Sequence, residues 1–435
     1  DKIITKRILV PYINNYYLFE YLVNLSKELQ ISGYELTVMT ADSAVMTNFE
    51  NTSIKVKLFP LFIRIFLRGS GNILMRSLLW LSGRFWVETL KNKYDFALIP
   101  WDNKPIWYLI LKRLPSLTVH NTTNLMDLKF EVESYKSKKS HKAAKIFERI
   151  FKKKILPRLD NVVLKHNKFW YLDKLFGLKS ENLVQGFSGI DYMTVTGNKM
   201  KVTLEEAGIS RLGTKIFPVG NPAYDGFLSY ANNFDEKKKY DFKESMGMEI
   251  DKDLYSLFLS PSHFNTSQIQ EISFVAESIL KFDSEAGIIM KFHPKTEKEF
   301  LIQFENIISK ITSNYKIISG FTGDQFNLDI ILSSKCILQK QSTVGFIAMI
   351  TSVPIISYNL LDTDYYDDMY KFMKASWHCE TSEELAECLE ALNDVHRLDE
   401  LKRRQANACD NFCLRNESSI HSIIDVINGH FKASR

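Results

Sequence analysis

Hydrophobic and polar positions alternate along the first half of the chain in a strand–helix–strand rhythm. Ile8 to Pro11 is a short apolar run typical of a strand. Leucines then recur at helical spacing between Tyr16 and Gln30, Gly33 ends the helix, and Tyr34 to Thr40 again has the pattern of a strand. Strand, helix and strand in succession form a βαβ unit, which predicts a parallel sheet. Further strands are predicted at 96–100, 116–120, 161–165 and 193–196.

A second rhythm of the same kind begins near Tyr255. It predicts strands at 255–259, 287–292, 315–319, 336–340 and 353–358, and helices at 268–282, 297–312, 326–333, 344–350 and 383–392. The fold class is therefore α/β, with two doubly wound Rossmann-like parallel-sheet domains facing a central cleft. Ligands of such sheets bind at the carboxyl ends of the strands.

The domain boundaries follow from a change of composition. Residues 234–251 are rich in lysine, aspartate and glutamate, which is typical of a solvated linker or domain edge. We predict an N-terminal Rossmann-like domain over 1–220, a hinge over 221–252, a second Rossmann-like domain over 253–415 and a C-terminal helix over 416–435.

Composition narrows the functional classes. The 435 residues are 45% hydrophobic, and 56 Lys and Arg against 51 Asp and Glu leave a net charge of only +5, which excludes a dedicated nucleic-acid binder. Five cysteines without a CxxC pair argue against a disulfide framework or a structural zinc site and favour a reducing, cytoplasmic compartment. Four arginines interrupt the apolar region 58–90, so no transmembrane helix is predicted.

The most informative motif ends an apolar strand. Lys291 and Phe292 lead into His293 and Pro294, and a strand end places His293 at the carboxyl edge of its sheet. A histidine there can donate to a phosphate oxygen or protonate a leaving group. The alternative is a histidine that merely closes the strand.

Three further segments have residues suited to a nucleotide. After strand 336–340 come Gln341, Ser342 and Thr343, of which Ser342 or Thr343 is predicted to be the N-cap of a phosphate-binding helix or of a plain one. The loop after strand 255–259 offers hydroxyl and imidazole groups that either touch the diphosphate or ribose or build a turn. Gly220 and Asn221, at the predicted hinge, permit close approach of backbone or ligand. The loop residues in question are Ser260, Ser262 and His263.

These segments resemble a known superfamily. Thr196-Gly197, Ala207-Gly208-Ile209 and Val219 to Pro222 with Asp225 resemble the middle of the GT-B superfamily, in the branch that holds UDP-N-acetylglucosamine 2-epimerases and bacterial surface-polysaccharide glycosyltransferases. The His-Pro and Ser-Thr pairs resemble the motifs of capsule-type transferases, which include polysialyltransferases, Kdo transferases and CDP-glycerol glycerophosphotransferases. The resemblance covers roughly residues 190–360.

The resemblance implies a transferase whose nucleotide-sugar is a substrate, with no resident cofactor. Domain 1–220 would then be the acceptor-side domain, and domain 253–415 would bind the nucleotide-sugar. The roles it implies are that His293 contacts the donor phosphate and assists its departure, and that Ser342 and Thr343 hold the same phosphate. The leading donor is a CMP-linked acidic sugar, either a nonulosonic acid or Kdo, and the acceptor a bacterial surface glycan or lipid-linked glycan of capsule or lipopolysaccharide biosynthesis. CDP-glycerol phosphotransfer is the next alternative.

Two further alternatives belong to other classes. A UDP-sugar epimerase fits less well, because the His-x-Glu-Ala-Gly run of that family has as its nearest equivalent the run Val119 to Thr123, which lacks the glutamate. A non-catalytic scaffold of a polysaccharide assembly complex would keep the fold and tolerate loss of His293.

A transferase needs a base for the acceptor hydroxyl. Asp102 and His120 each follow a predicted strand of the first domain, and we expect one of them to be that base, although each alone also suits a helix cap or a structural role. Asp191 and Glu131 are weaker candidates. No His-x-x-x-His occurs, and the acidic run at 362–364 is typical of a solvated turn, so no metal is predicted.

Residues 136–155 have the pattern of a basic amphipathic helix. With the arginine-studded segment 58–90 it predicts peripheral contact with the inner face of the cytoplasmic membrane, where a lipid-linked acceptor would dock. The alternative is a surface helix whose apolar face lies in the core.

Overall fold

The structure is a computed structural model. It describes residues 6–12, 19–41, 46, 54–67, 73–99, 114–119, 190–206, 209–259, 266–293, 296–320, 322–340, 342–361, 369–414 and 418–433. The chain forms two compact units, one comprising Asp1–Ala223 with Ser418–Arg435 and the other Tyr224–Glu417.

In the first unit the described residues form a seven-stranded sheet in which every strand pair is parallel, in the order β3-β2-β1-β4-β5-β6-β7. The strands are β1 (Arg7–Tyr12), β2 (Glu35–Thr40), β3 (Lys55–Leu58), β4 (Phe96–Ile99), β5 (Ser116–Val119), β6 (Tyr192–Val195) and β7 (Lys215–Pro218). The helices between them include α1 (Phe19–Ile31), α2 (Leu61–Leu67), α3 (Ile73–Lys91) and α4 (Asn198–Glu206).

The second unit has a six-stranded parallel sheet in the order β10-β9-β8-β11-β12-β13. Its strands are β8 (Leu254–Leu259), β9 (Gly287–Phe292), β10 (Tyr315–Ile318), β11 (Cys336–Lys340), β12 (Ile355–Tyr358) and β13 (Trp377–Cys379). Its helices include α5 (Phe227–Asn232), α6 (Glu236–Ser245), α7 (Thr266–Phe282), α8 (Lys298–Ile311), α9 (Gly323–Ser333), α10 (Gly345–Thr351), α11 (Met369–Phe372), α12 (Ser382–Glu390) and α13 (Val395–Phe412). Two Rossmann-like parallel sheets confirm the predicted fold class.

The strand order of the second sheet reverses between β8 and β11. In open α/β sheets this reversal is the topological switch point, where the loops after the two strands diverge and leave a crevice at the carboxyl edge. All six residues of β8 and of β9 are buried, as expected of strands covered by helices on both faces.

The last helix, α14 (Ser419–Ala433), returns to the first unit. Its isoleucine side chains, from Ile420 to Ile427, join the core formed by β1, β2, β4, β5 and α1. Tyr34 donates to Asn428 at 2.5 Å, and the Tyr192 hydroxyl lies 3.0 Å from His430 Nδ1. The predicted C-terminal helix is thus part of the first unit, and the segment predicted as a hinge supplies α5 and α6 to the second.

The segment 58–90 forms α2 and α3, and among the described helices none is long and apolar enough to cross a membrane. Leu61, Leu81 and Phe85 are exposed by 63%, 49% and 69%. The five cysteines all lie among the described residues, are buried and form no disulfide. The predicted strand 161–165 and the basic segment 136–155 lie outside the described residues.

Candidate functional site

The structure brings four of the predicted site residues to the carboxyl edge of the second sheet. Lys291 lies one residue before the end of β9 and His293 directly after it, while Ser342 and Thr343 follow β11. In sheets of this topology a ligand crevice is expected at this edge, between β8 and β11. Only β8 separates β9 from β11, so we expect one ligand to reach residues that follow both strands.

A row of mostly polar residues crosses the second sheet just before this edge. Lys291 pairs with Phe258, Phe258 with Gln339, Gln339 with Ser357, and Ser357 with His378. Residues in register on neighbouring strands point to the same face of a sheet, and the opposite face carries the apolar core. Buried polar residues are the informative exceptions in a core, so this row marks the face that carries chemistry.

Lys291 is a buried cation without a carboxylate partner among the described residues. The residue is 8% exposed, and its Nζ donates to the carbonyl oxygens of Gly320 at 2.7 Å and Phe292 at 3.3 Å. Burial lowers the pKa of the Lys291 ammonium from its ordinary value of 10.5. A buried ammonium that meets only carbonyl dipoles is poised to bind an anion.

Lys340, at the same edge, differs from Lys291 because it has a carboxylate partner. Its Nζ contacts both carboxylate oxygens of Glu271, at 3.2 and 3.0 Å. The Glu271 side chain is 2% exposed and also accepts a hydrogen bond from the backbone N–H of Leu360 at 2.9 Å. This pair is complete within the chain and ties α7 to β11 and to the end of β12.

The turn after β11 is held by two side chains. The Gln339 Oε1 accepts from the Ser342 N–H at 2.7 Å, and the Tyr370 hydroxyl donates to the Ser342 carbonyl at 2.6 Å. Gly345 leaves room for the Tyr370 ring, because a Cβ there would overlap that ring. The position of the turn therefore depends on residues from β11 and α11 as well as on its own sequence.

The predicted helix cap is wrong. Helix α10 begins at Gly345 with Val344 as its N-cap residue, and no side chain caps it. The Ser342 Oγ accepts only a long 3.4 Å hydrogen bond from the Val344 N–H, and Thr343 is exposed. The reason is that Ser342 is fixed through its backbone by Gln339 and Tyr370, which shifts the start of the helix.

His293 is half-buried directly after β9. Its carbonyl accepts from the Thr296 N–H at 2.9 Å. Pro294 itself lies outside the described residues, as do Asp102, His120, Gln341, Ser260, Ser262, His263 and the acidic run 362–364. Their predicted roles stay predictions.

Gly220 and Asn221 follow β7 in the first unit and build a turn. Gly220 has φ +93°, a backbone conformation that favours glycine. Asn221 is 5% exposed, and its Oδ1 accepts from the Ala223 N–H at 3.1 Å. Both residues thus have a local structural role, and their predicted contact with a donor stays a prediction.

Asp191 lies at the amino edge of the first sheet, whereas sheets of this kind bind ligands at the carboxyl edge. It directly precedes β6 and accepts from the Ser116 N–H, at the start of β5, at 3.0 Å. Burial raises the pKa of the Asp191 carboxyl. Its position at the amino ends of the strands argues against Asp191 as the base.

Three buried residues of the site were not predicted: Gln339, Glu271 and Tyr370. A glutamine inside an apolar strand is a signal that the sequence does contain. Glu271 and Tyr370 have no such signal, because their partners come from distant parts of the chain. Among the described residues, no group of three or more His, Cys, Asp or Glu could hold a metal ion; metal independence stays a prediction.

No protein-family model matches this chain, and no curated protein sequence matches it. Solved structures do resemble it over nearly its whole length. A glycosyltransferase from Rickettsia africae has a TM-score of 0.56 at 13% identity and covers 97% of each chain. The S. aureus MnaA–UDP complex has a TM-score of 0.58 at 12% identity, covering 98% of this chain and 97% of its own.

A UDP-GlcNAc 2-epimerase from Neisseria meningitidis, bound to UDP-GlcNAc, has a TM-score of 0.57 at 11% identity, covering 97% of this chain and 100% of its own. At such identities the likeness concerns the fold. With the two Rossmann-like sheets, it shows that the chain has the GT-B fold.

Proposed function

We propose that this chain is a glycosyltransferase that binds a nucleotide-sugar donor at the carboxyl edge of its second sheet. The observation that carries the proposal is Lys291, a buried ammonium without a carboxylate among the described residues, at the edge where sheets of this topology bind ligands. Neighbours of the same fold that hold UDP or UDP-GlcNAc support a nucleotide as the ligand.

The proposed reaction moves a glycosyl group between two oxygens. The bond from the anomeric carbon to the donor phosphate oxygen breaks, and a bond to the acceptor hydroxyl oxygen forms, while the acceptor proton passes to a base, for which Asp102 and His120 are the proposed candidates. The departing phosphate gains negative charge. Lys291 neutralises that charge, His293 donates to the phosphate, and Ser342 and Thr343 add hydroxyl donors.

The nucleotide base is the finer part of the proposal. The UDP-bearing neighbours favour uridine, whereas the His-Pro and Ser-Thr pairs favour a CMP-linked nonulosonic acid or Kdo, transferred to a bacterial surface or lipid-linked glycan. CDP-glycerol phosphotransfer would use the same phosphate site.

A UDP-sugar 2-epimerase is the second candidate, favoured by the epimerase neighbour at TM-score 0.57. It would turn over a UDP-sugar with no acceptor. The missing glutamate after His120 argues against it.

A thermal-shift screen with CMP, CDP, UDP, GDP and ADP, each with and without Mg²⁺, tests the proposal. A ligand that binds only the folded state raises the melting temperature by mass action. We expect one pyrimidine nucleotide to stabilise the wild type without Mg²⁺, and His293→Ala to weaken that stabilisation. No response to any nucleotide would contradict the donor site and favour a scaffold. Release of the nucleotide from a UDP-sugar without acceptor would favour the epimerase.

Peripheral membrane contact is proposed for the first unit. Leu81 and Phe85 lie one turn apart on α3 and are exposed, as is Leu61 on α2. We expect the wild type to sediment with anionic vesicles, and Leu81→Ser with Phe85→Ser to reduce that binding. The inert control is Ile302→Ser, an exposed apolar residue of the second unit. Equal sedimentation of all three would contradict the proposal.

A further inference from the structure

Gln339 is a fully buried side chain with half of its hydrogen-bonding capacity unused. It is 0% exposed, and its Oε1 accepts from the Ser342 N–H at 2.7 Å. A backbone N–H can only donate, so the atom facing it must be the amide oxygen, and this fixes the orientation of the amide. The other atom, Nε2, is buried and has no hydrogen-bond partner within the part of the chain that the structure describes.

An unpaired buried donor is costly to keep. Leaving such a group without a partner costs about 1–3 kcal/mol, and native proteins contain few such groups. The bond from the Ser342 N–H accounts for an acceptor at position 339, but it does not account for the Nε2 donor. The most direct reason for that donor is a partner that arrives from outside the chain.

The place of Gln339 indicates which partner that is. Gln339 pairs with Phe258 of β8, so it lies on the β11 side of the switch point where the crevice opens. Further along the polar row the partners are complete: Ser357 Oγ lies 2.9 Å from Ser376 Oγ and 3.2 Å from His378 Nδ1. The unused donor therefore belongs to the residue of the row that lies next to the switch point.

We propose that Gln339 is a donor-binding residue whose Nε2 donates to a phosphate oxygen of the bound nucleotide, while its Oε1 keeps the Ser342 turn in place. This inference rests on the proposed function and adds a residue to that site. Because Nε2 is sealed from solvent, the groups that cover it must shift as the ligand enters.

Gln339→Glu is the sharpest test, because it retains an oxygen for the Ser342 N–H and replaces only the donor group. UDP and CMP are titrated by calorimetry, and the ratio of variant Kd to wild-type Kd is followed from pH 5 to pH 8. We expect the ratio to exceed tenfold at pH 8, where the carboxylate repels phosphate, and to fall towards acid pH as the protonated carboxyl regains a donor. A merely structural role would leave the ratio independent of pH.

A second variant covers the case in which a buried glutamate prevents folding. Gln339→Met has no charge and a similar length, and we expect its affinity to fall about tenfold at every pH, which is the loss of about 1.4 kcal/mol. Wild-type affinity in the folded variants would overturn the inference and leave the proposed function intact. A wild type that binds neither UDP nor CMP would overturn both.

The matched control is Gln405, the other fully buried glutamine of the second unit with one unused amide atom. Its Nε2 donates to the Val353 carbonyl at 2.9 Å, before the start of β12, and its Oε1 is without a partner. Gln405→Met is expected to lower the melting temperature and to leave the nucleotide Kd unchanged. An equal loss of affinity in this variant would attribute the Gln339 effect to general destabilisation and overturn the inference.

Discussion

The two edges of the second sheet each contain a buried lysine, and the two lysines differ in what surrounds their charge. At the amino edge, the Lys243 Nζ donates to the carbonyls of Ile250 at 3.0 Å and Lys252 at 2.6 Å, just before β8. Burial lowers the pKa of Lys243, and three nearby carboxylates oppose that shift: Asp253, Glu236 and Asp251. At the carboxyl edge, Lys291 has two carbonyl partners as well, but no carboxylate acts on its pKa.

The buried glutamines repeat this difference. Gln405 uses its donor at the amino edge, whereas Gln339 uses only its acceptor at the carboxyl edge. Each edge thus contains one buried lysine and one buried glutamine. The two edges differ in the groups that these side chains contact. The amino-edge side chains bond to the segments of chain that enter the strands. At the carboxyl edge, Lys291 has a positive charge and Gln339 an N–H donor that we assign to the proposed nucleotide.

The largest expected effect concerns the buried ion pair of Glu271 and Lys340 at the carboxyl edge. Glu271→Gln leaves the Lys340 ammonium largely buried without its counter-charge, which costs about 3 kcal/mol of unfolding free energy. Urea denaturation measures the loss. Glu285→Gln, which breaks the exposed pair with Lys252, is the control and should change stability little. Equal losses in the two variants would show that this pair is no more structural than a surface contact.

Next in size is the exchange of the unpaired lysine. Lys291→Met should weaken nucleotide binding about tenfold to hundredfold, equivalent to about 1.4–2.8 kcal/mol, whereas Lys243→Met should keep the nucleotide Kd. Each variant leaves two carbonyls without their donor. Only Lys243→Met also removes the attraction of nearby carboxylates, so it should lose more stability than Lys291→Met. Calorimetry and thermal unfolding on both variants check this. Loss of affinity in both would remove the distinction between the edges.

A substitution at Gly345 tests the shape of the carboxyl edge, and the same substitution at Gly429, in the first unit, is its control. Gly345→Ala should destabilise by about 1–3 kcal/mol, since a methyl group there meets the Tyr370 ring that holds the Ser342 carbonyl. Gly429→Ala, in α14 with open space around it, should stabilise by about 0.5–1 kcal/mol. Denaturant unfolding of each variant provides the comparison. A neutral Gly345→Ala would mean that the Tyr370 contact does not fix the turn.

The smallest expected effect is the change of stability and of nucleotide affinity with pH in alkaline solution. The pKa of Lys291 is lowered in the folded state, so between that pKa and 10.5 the unfolded chain binds more protons and stability rises with pH. Nucleotide affinity should fall through the same window as the ammonium loses its proton. Titrations of wild type, Lys291→Met and Lys243→Met against pH measure both trends. The fall in affinity should persist in Lys243→Met and disappear in Lys291→Met; any other assignment would contradict the role of Lys291.

The sequence predicts the sheets well, because buried parallel strands are short apolar runs that end at turn residues. The strand predicted at 287–292 is observed with those bounds, which places His293 at the carboxyl edge. The helix predicted at 344–350 is observed one residue later, as α10. The contact of Tyr370 with Ser342 was not predictable, because the two residues are 28 positions apart. The ion pair of Glu271 with Lys340 was not predictable from the local sequence either, because the two residues are 69 positions apart.

The return of α14 to the first unit sets an order for synthesis. Residues 224–417 are continuous and can fold as they leave the ribosome, although they follow most of the first unit. The first unit lacks its Ile420–Ile427 layer until the final helix is made, so its apolar surface stays uncovered while the second unit is being translated. A chaperone that shields residues 1–223 during translation would therefore act on the N-terminal unit for longer than its position in the chain suggests.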